Sequence, residues 1–222
     1  MAATTVASST NPEIHMMRKW MVLAALVGAV LGITTAQAGV IRYTADLTGL
    51  AENPDVITPA TGWAEVLYDD VAHTMRVRAE FSGLLDITTA AHIHCCQANP
   101  LANAGVATTT PSFVGFPLGV TAGTFDALYD MTLASSWNAA FITSSGGTPA
   151  LAETRLFAAM GRAETYFNIH TRGPAQGGVG FPGGEIRGTL IPEPSALALS
   201  LAALLAIGAT SRRRATRATF TP

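Results

Sequence analysis

With 222 residues, 49% of them apolar and only 13% charged, the chain can build one domain with a real core and is not a disordered, charge-rich tail protein. Its net charge of −2 hides an uneven distribution. Between Gly39 and Ile191 seven arginines and no lysine stand against thirteen carboxylates, a net of −6, which repels phosphate backbones and excludes nucleic acid as a partner.

Taken in chain order, the first element is an address. Arg18 and Lys19 precede the apolar run Met21 to Ile33, and Ala36-Gln37-Ala38 follows with the small-x-small spacing that a signal peptidase accepts. A run of 13 residues is too short to span a bilayer, so residues 1–38 are expected to be an N-terminal extension and signal peptide, helical in the apolar run and cut after Ala38. Export follows from that reading.

Residues 39–191 have a period of two. Ile41 to Leu47 and Met75 to Phe81 alternate apolar and polar positions, as a strand with one buried face requires. Phe125, Ala127, Tyr129, Met131 and Leu133 form a third such row, and Ala64–Tyr68, Ala90–Cys95, Thr165–His170 and Glu185–Leu190 supply four shorter strands. Turn-forming residues lie between them, among them Asn53-Pro54-Asp55, Asp69-Asp70 and Pro182-Gly183-Gly184. Pro149 to Glu164 breaks the pattern, with Leu151, Ala152, Leu156, Ala159 and Met160 at helical spacings. The prediction is an all-β domain, an antiparallel β-sandwich or Greek-key barrel, with one inserted α-helix over about 149–164.

Chemistry concentrates in Ala91-His92-Ile93-His94-Cys95-Cys96. On a strand His92, His94 and Cys96 share one face, and a neighbouring strand at Thr165–His170 would turn Asn168 and His170 the same way. Three imidazoles from two strands suit zinc or copper, with Cys96 or water in a fourth position. The other account of the same residues is a hydrogen-bonded polar cluster, tied to Glu185 or Asn168, that fixes strand register. Glu185 and Arg187 share a face of the last strand, where they either pair with each other or orient a histidine. The two adjacent cysteines enter an oxidising compartment, where they form a vicinal disulfide, bridge two chains, stay as thiols, or contribute Cys96 as a thiolate ligand. No Gly-x-Ser-x-Gly elbow, phosphate loop or His-Glu-x-x-His motif occurs, so a non-enzymatic module is expected.

The last element reverses the order of the first. Pro192-Glu193-Pro194 is expected to break the chain away from the domain. A mostly apolar stretch, Ser195 to Thr210, forms a short membrane helix, and Arg212, Arg213 and Arg214 stay on the cytoplasmic side. Motif, helix and basic cluster in this order, over residues 192–222, resemble the PEP-CTERM sorting signal of exopolysaccharide-producing Gram-negative bacteria. That resemblance implies an exosortase as processing partner, transient anchoring in the inner membrane facing the periplasm, and a final place at the cell surface or outside the cell.

A second resemblance covers the domain itself. Phe81-Ser82-Gly83-Leu84, Thr89-Ala90-Ala91-His92-Ile93-His94, Tyr166-Phe167-Asn168-Ile169-His170-Thr171 and Phe181-Pro182-Gly183-Gly184-Glu185-Ile186-Arg187-Gly188 resemble, in order, the CHRD domain. Cys95-Cys96 replaces the Gly-Pro usual after the second motif and resembles the CHRD subgroup that carries PEP-CTERM tails. The resemblance implies an exported binding or structural module, associated here with exopolysaccharide. His-x-His on a strand is also similar to the copper-zinc superoxide dismutase barrel, but His73, His92, His94 and His170 are too few for that enzyme's two-metal ligand set.

Overall fold

A computed structural model describes residues 39–97, 99 and 102–194. The expected signal peptide with its Ala36 and Ala38 cleavage site, the membrane helix after Pro194 and the Arg212–Arg214 cluster lie outside the described residues. Among the described residues nine strands dominate the regular structure: β1 (Val40–Thr48), β2 (Thr61–Asp69), β3 (Thr74–Ser82), β4 (Thr88–Cys95), β5 (Gly105–Val106), β6 (Gly123–Asp130), β7 (Thr165–Thr171), β8 (Ile186–Thr189) and β9 (Ile191–Pro192). Two helices, α1 (Ala139–Ser144) and α2 (Pro149–Met160), fall between β6 and β7. The antiparallel all-β architecture is thus present, as one sheet in the order β5-β4-β7-β8-β1-β2-β3-β6, with β9 added on β1.

Alternation explains the sheet. In β3, Met75, Val77, Ala79 and Phe81 are buried and face a common core with Tyr43, Leu47 and Val66 from β1 and β2 and Ile93, Phe167 and Ile169 from β4 and β7. The opposite face of β1–β2–β3–β6 is polar. Arg76 clamps Asp126 with two hydrogen bonds of 2.6 and 2.7 Å, and Glu65 lies between Arg42 and Arg78. The β6 row stops earlier than its alternation suggests. Met131 is still buried, but the Asp130 carboxylate accepts hydrogen bonds from both the backbone and the hydroxyl of Thr132 and turns the chain, leaving Leu133 exposed.

Helix α2 opens with Thr148, whose hydroxyl accepts from the Leu151 amide, and with Pro149 at its first position. It ends four residues before the expected boundary, where the Glu164 amide bonds back to the Ala159 carbonyl and Ala163 turns into the left-handed region at φ 57°. Ala152, Leu156, Ala159 and Met160 face the core, whereas Leu151 is 47% exposed. In its place the buried Glu153 carboxylate faces inward and accepts from the Tyr68 hydroxyl at 2.9 Å and from His73 at 3.0 Å.

The Pro-Glu-Pro segment does not leave the domain where its prolines suggest. Ile191 and Pro192 pair with Thr44 and Tyr43, the Glu193 amide donates to the Arg42 carbonyl at 2.9 Å, and the Thr44 hydroxyl donates to the Glu193 carboxylate at 3.0 Å. Pro192 can sit there because this short strand needs no amide from it.

Candidate metal centre

Pairing of β4 with β7 sets Ala90 opposite His170, His92 opposite Asn168 and His94 opposite Tyr166. Ala91, Ile93, Cys95, Phe167 and Ile169 therefore enter the core, and the three histidines rise together on the other face. Loops cover that face, so His92 and His94 are 6% and 7% exposed while His170 lies at the rim. The ring centroids are 5.2 Å apart for His92 and His170, 5.6 Å for His94 and His170, and 5.8 Å for His92 and His94.

Each ring is held by one backbone carbonyl from a loop. His92 donates from Nε2 to Pro111 at 2.7 Å, His94 from Nδ1 to Ala104 at 2.8 Å, and His170 from Nδ1 to Pro182 at 2.9 Å. A carbonyl oxygen only accepts, so these nitrogens carry the proton and fix the tautomers. The remaining nitrogens, His92 Nδ1, His94 Nε2 and His170 Nε2, are buried and have no hydrogen-bond partner. One ligating nitrogen from each histidine lies within 4.8 Å of the other two.

Burial also keeps the rings neutral. Desolvation, reinforced by the neighbouring imidazoles, pushes His92 down to about 4 and His94 to about 3, and burial holds His170 below the ordinary histidine value. Three fixed lone pairs, free of protons and shielded from solvent, are what a transition-metal ion binds.

The fourth expected ligand is not available. Cys96 is joined to Cys95 in a vicinal disulfide, so its sulfur is no thiolate, and the strand alternation that would align it with His94 ends at Cys95. Glu185 and Asn168 do not hold the histidines either. Glu185 is fully buried and accepts from the Thr58 hydroxyl, the Leu85 amide and the Thr171 hydroxyl, each at 2.7 Å. Nor does Glu185 pair with Arg187. The Arg187 side chain, 2% exposed, turns to Glu52 at 3.7 Å, to the Ala51 carbonyl and to Asn103 at 2.8 Å.

Beside the cluster is a stack that the sequence pattern does not reveal. The Tyr166 ring lies parallel to His94, with centroids 4.7 Å apart, and the Arg187 guanidinium lies 4.5 Å from the Tyr166 centroid. Since β7 runs between β4 and β8, Tyr166 is placed between the imidazole and the cation. Its hydroxyl accepts from the Ala104 amide at 3.1 Å, tying it to the loop that orients His94. Register could have signalled Tyr166, two positions before Asn168. Glu52 and Asn103 come from loops with no periodicity to place them.

Together these features define an all-β domain that presents a buried three-imidazole cluster on the sheet face away from its core. The family model of the CHRD domain matches residues 43–190, and the chain belongs to that family. Membership is consistent with an extracellular or secreted protein and suggests a binding module. No curated protein and no solved structure matches the chain. Among the described residues no helix is long and apolar enough to cross a membrane.

Proposed function

We propose that this protein is an exported CHRD module that binds a first-row transition metal, zinc or copper, through His92, His94 and His170. One observation carries the reading: one ring nitrogen from each of the three histidines lies within 4.8 Å of the other two, and each ring keeps one buried nitrogen without a hydrogen-bond partner while its sister N–H is spent on a backbone carbonyl. A cluster serving only to fix register would direct those nitrogens to donors. Bound metal would join the β4 and β7 strands and offer a Lewis-acidic or redox-active centre, and this chain's part is to hold the rings neutral and in one tautomer. The sequence supports export through Ala36-Gln37-Ala38, and processing at Pro192-Glu193-Pro194 by an exosortase that leaves the domain at the cell surface.

The test is elemental analysis of the full chain, exported and purified without chelators, beside the His92→Ala, His94→Ala double variant. About one zinc or copper per chain, lost in the variant, is the expected outcome. Equal metal content in the two proteins, or none in either, rejects the reading.

Association with exopolysaccharide is a second reading, favoured by Trp63. This residue is 42% exposed on the polar face, in one cross-strand row with Asp46 and Glu80, and its indole nitrogen donates to Glu80 at 3.3 Å. An exposed ring between two carboxylates suits the apolar face and hydroxyl rim of a sugar. Trp63→Ala should abolish co-sedimentation with the secreted polysaccharide without altering metal content; undiminished co-sedimentation removes this support.

A further inference from the structure

The surroundings of the three histidines bear on which ion they hold. This inference rests on the metal reading above. The donor set is three neutral imidazoles. The described carboxylates near that face are committed elsewhere, Glu185 to Thr58, Leu85 and Thr171, and Glu52 to Arg187. With Cys96 in the disulfide, no described anionic side chain contacts the three open nitrogens. A permanent cation is close instead: Arg187 is 2% exposed and lies behind Tyr166, which is itself stacked on His94.

Both facts penalise charge on the metal. The cost of placing an ion in a weakly polarisable interior grows as the square of its charge, and repulsion by a buried guanidinium grows in proportion to it. Divalent zinc is therefore at a disadvantage against a monovalent ion, and so is cupric copper against cuprous. Coordination number points the same way. Zinc completes four positions, taking water or an anion when the protein supplies three ligands. The three nitrogens here have almost no contact with solvent. Cuprous copper, a closed-shell ion, is satisfied by three donors.

We propose that the His92, His94 and His170 centre is selective for monovalent copper over zinc and over divalent copper, and that Arg187 sets this preference by its charge, acting through Tyr166. Arg187 touches no ligand nitrogen. It is a positioning and electrostatic residue, and Glu52, its ion partner, opposes it.

The experiment measures two affinities on the full chain: cuprous copper by anaerobic competition with a bicinchoninate chelator, and zinc by competition with a fluorescent chelator, both at pH 8. Wild type is expected to hold cuprous copper at least 100-fold more tightly than zinc. Arg187→Met should shrink that ratio about tenfold, Arg187→Lys should restore most of it, and Glu52→Gln should enlarge it. The midpoint potential of the bound copper couple should fall in Arg187→Met and rise in Glu52→Gln. A purely structural role for Arg187 would not give opposite signs for the two partners. If Arg187→Met fails to fold, the Glu52→Gln ratio decides: enlargement supports the proposal, and no change or a decrease overturns it. Zinc bound as tightly as cuprous copper by wild type overturns the selectivity while leaving the metal centre standing. Absence of binding by either ion rejects the centre itself.

Discussion

Two buried carboxylates of this domain are satisfied to different degrees. Glu185 receives three short hydrogen bonds from three separate segments, whereas one oxygen of Glu52 is buried without a partner and burial pushes its carboxyl up to about 7 against the pull of Arg187. Glu185→Ala strands two hydroxyls and an amide in the interior and should cost on the order of 4 kcal/mol, read as a drop in the urea midpoint without change of slope. The histidines set the acid response. Their folded values lie below the ordinary 6.5, so the unfolded chain binds more protons, and stability is fully present above pH 6.5 and lost as pH falls toward 4 and 3. His92 alone contributes on the order of 3 kcal/mol across that window. Metal-free protein should therefore lose urea stability between pH 6.5 and 4, and the His92→Ala, His94→Ala variant should show a flatter profile; equal profiles would show that other groups govern it. At this scale the histidine row was legible, because alternation on a strand dictates which side chains share a face. The partners of Glu185 and Arg187 were not. Apart from Thr171 at the end of β7, both residues find their counterparts in the segment 51–58 and in loops, whose paths follow turn geometry rather than periodicity.

Among the elements, the seam between β8 and β1 is the least regular. Their ladder reduces to one residue pair, Thr48 with Arg187, although the strands run side by side. Gly188 makes the approach possible, since a Cβ there would overlap the Asp46 carbonyl oxygen and meet the Ala45 Cβ at 3.1 Å. Gly188→Ala should push the strands apart and lower the melting temperature by roughly 10 °C, with the Arg187 side chain displaced because it rides on the same strand. A melting temperature within 2 °C of wild type would show that the seam absorbs the methyl group. Seven strands and the α2 helix could be read from the sequence because their periods persist for several residues. Helix α1 is one and a half turns, β5 is two residues, and β9 carries a proline, so each is too short for a period and is fixed by tertiary contacts instead. For α1 the one local signal is Asn138, whose side chain accepts from the Ala140 amide as an N-cap.

At the scale of the whole molecule, labour is divided between the two faces of one sheet. The inner face holds the apolar core, and the outer face splits into an ion-paired, solvated half over β1, β2, β3 and β6 and a loop-covered half over β4, β7 and β8 that carries the histidines. That asymmetry places a polar cluster in a dry setting without weakening the core, because the carbonyls orienting it come from the covering loops. Sequence periodicity reports the inner face well, as it selects every second residue. It says nothing of how loops fold over the outer one, which is why the histidines could be found and their surroundings could not.

The ninth strand has a bearing on the protein's assembly. On one side β1 is paired along its whole length with β2; on the other it has only β8 at Thr48 and β9 at Tyr43 and Thr44. A cut that follows Glu193 leaves this border closed, and a cut ahead of Ile191 strips it, exposing a run of unsatisfied amides and carbonyls to which another chain can add a strand. If the chain is processed near Pro192-Glu193-Pro194 as proposed, the position of the cut would decide between a solitary domain and one with an adhesive margin.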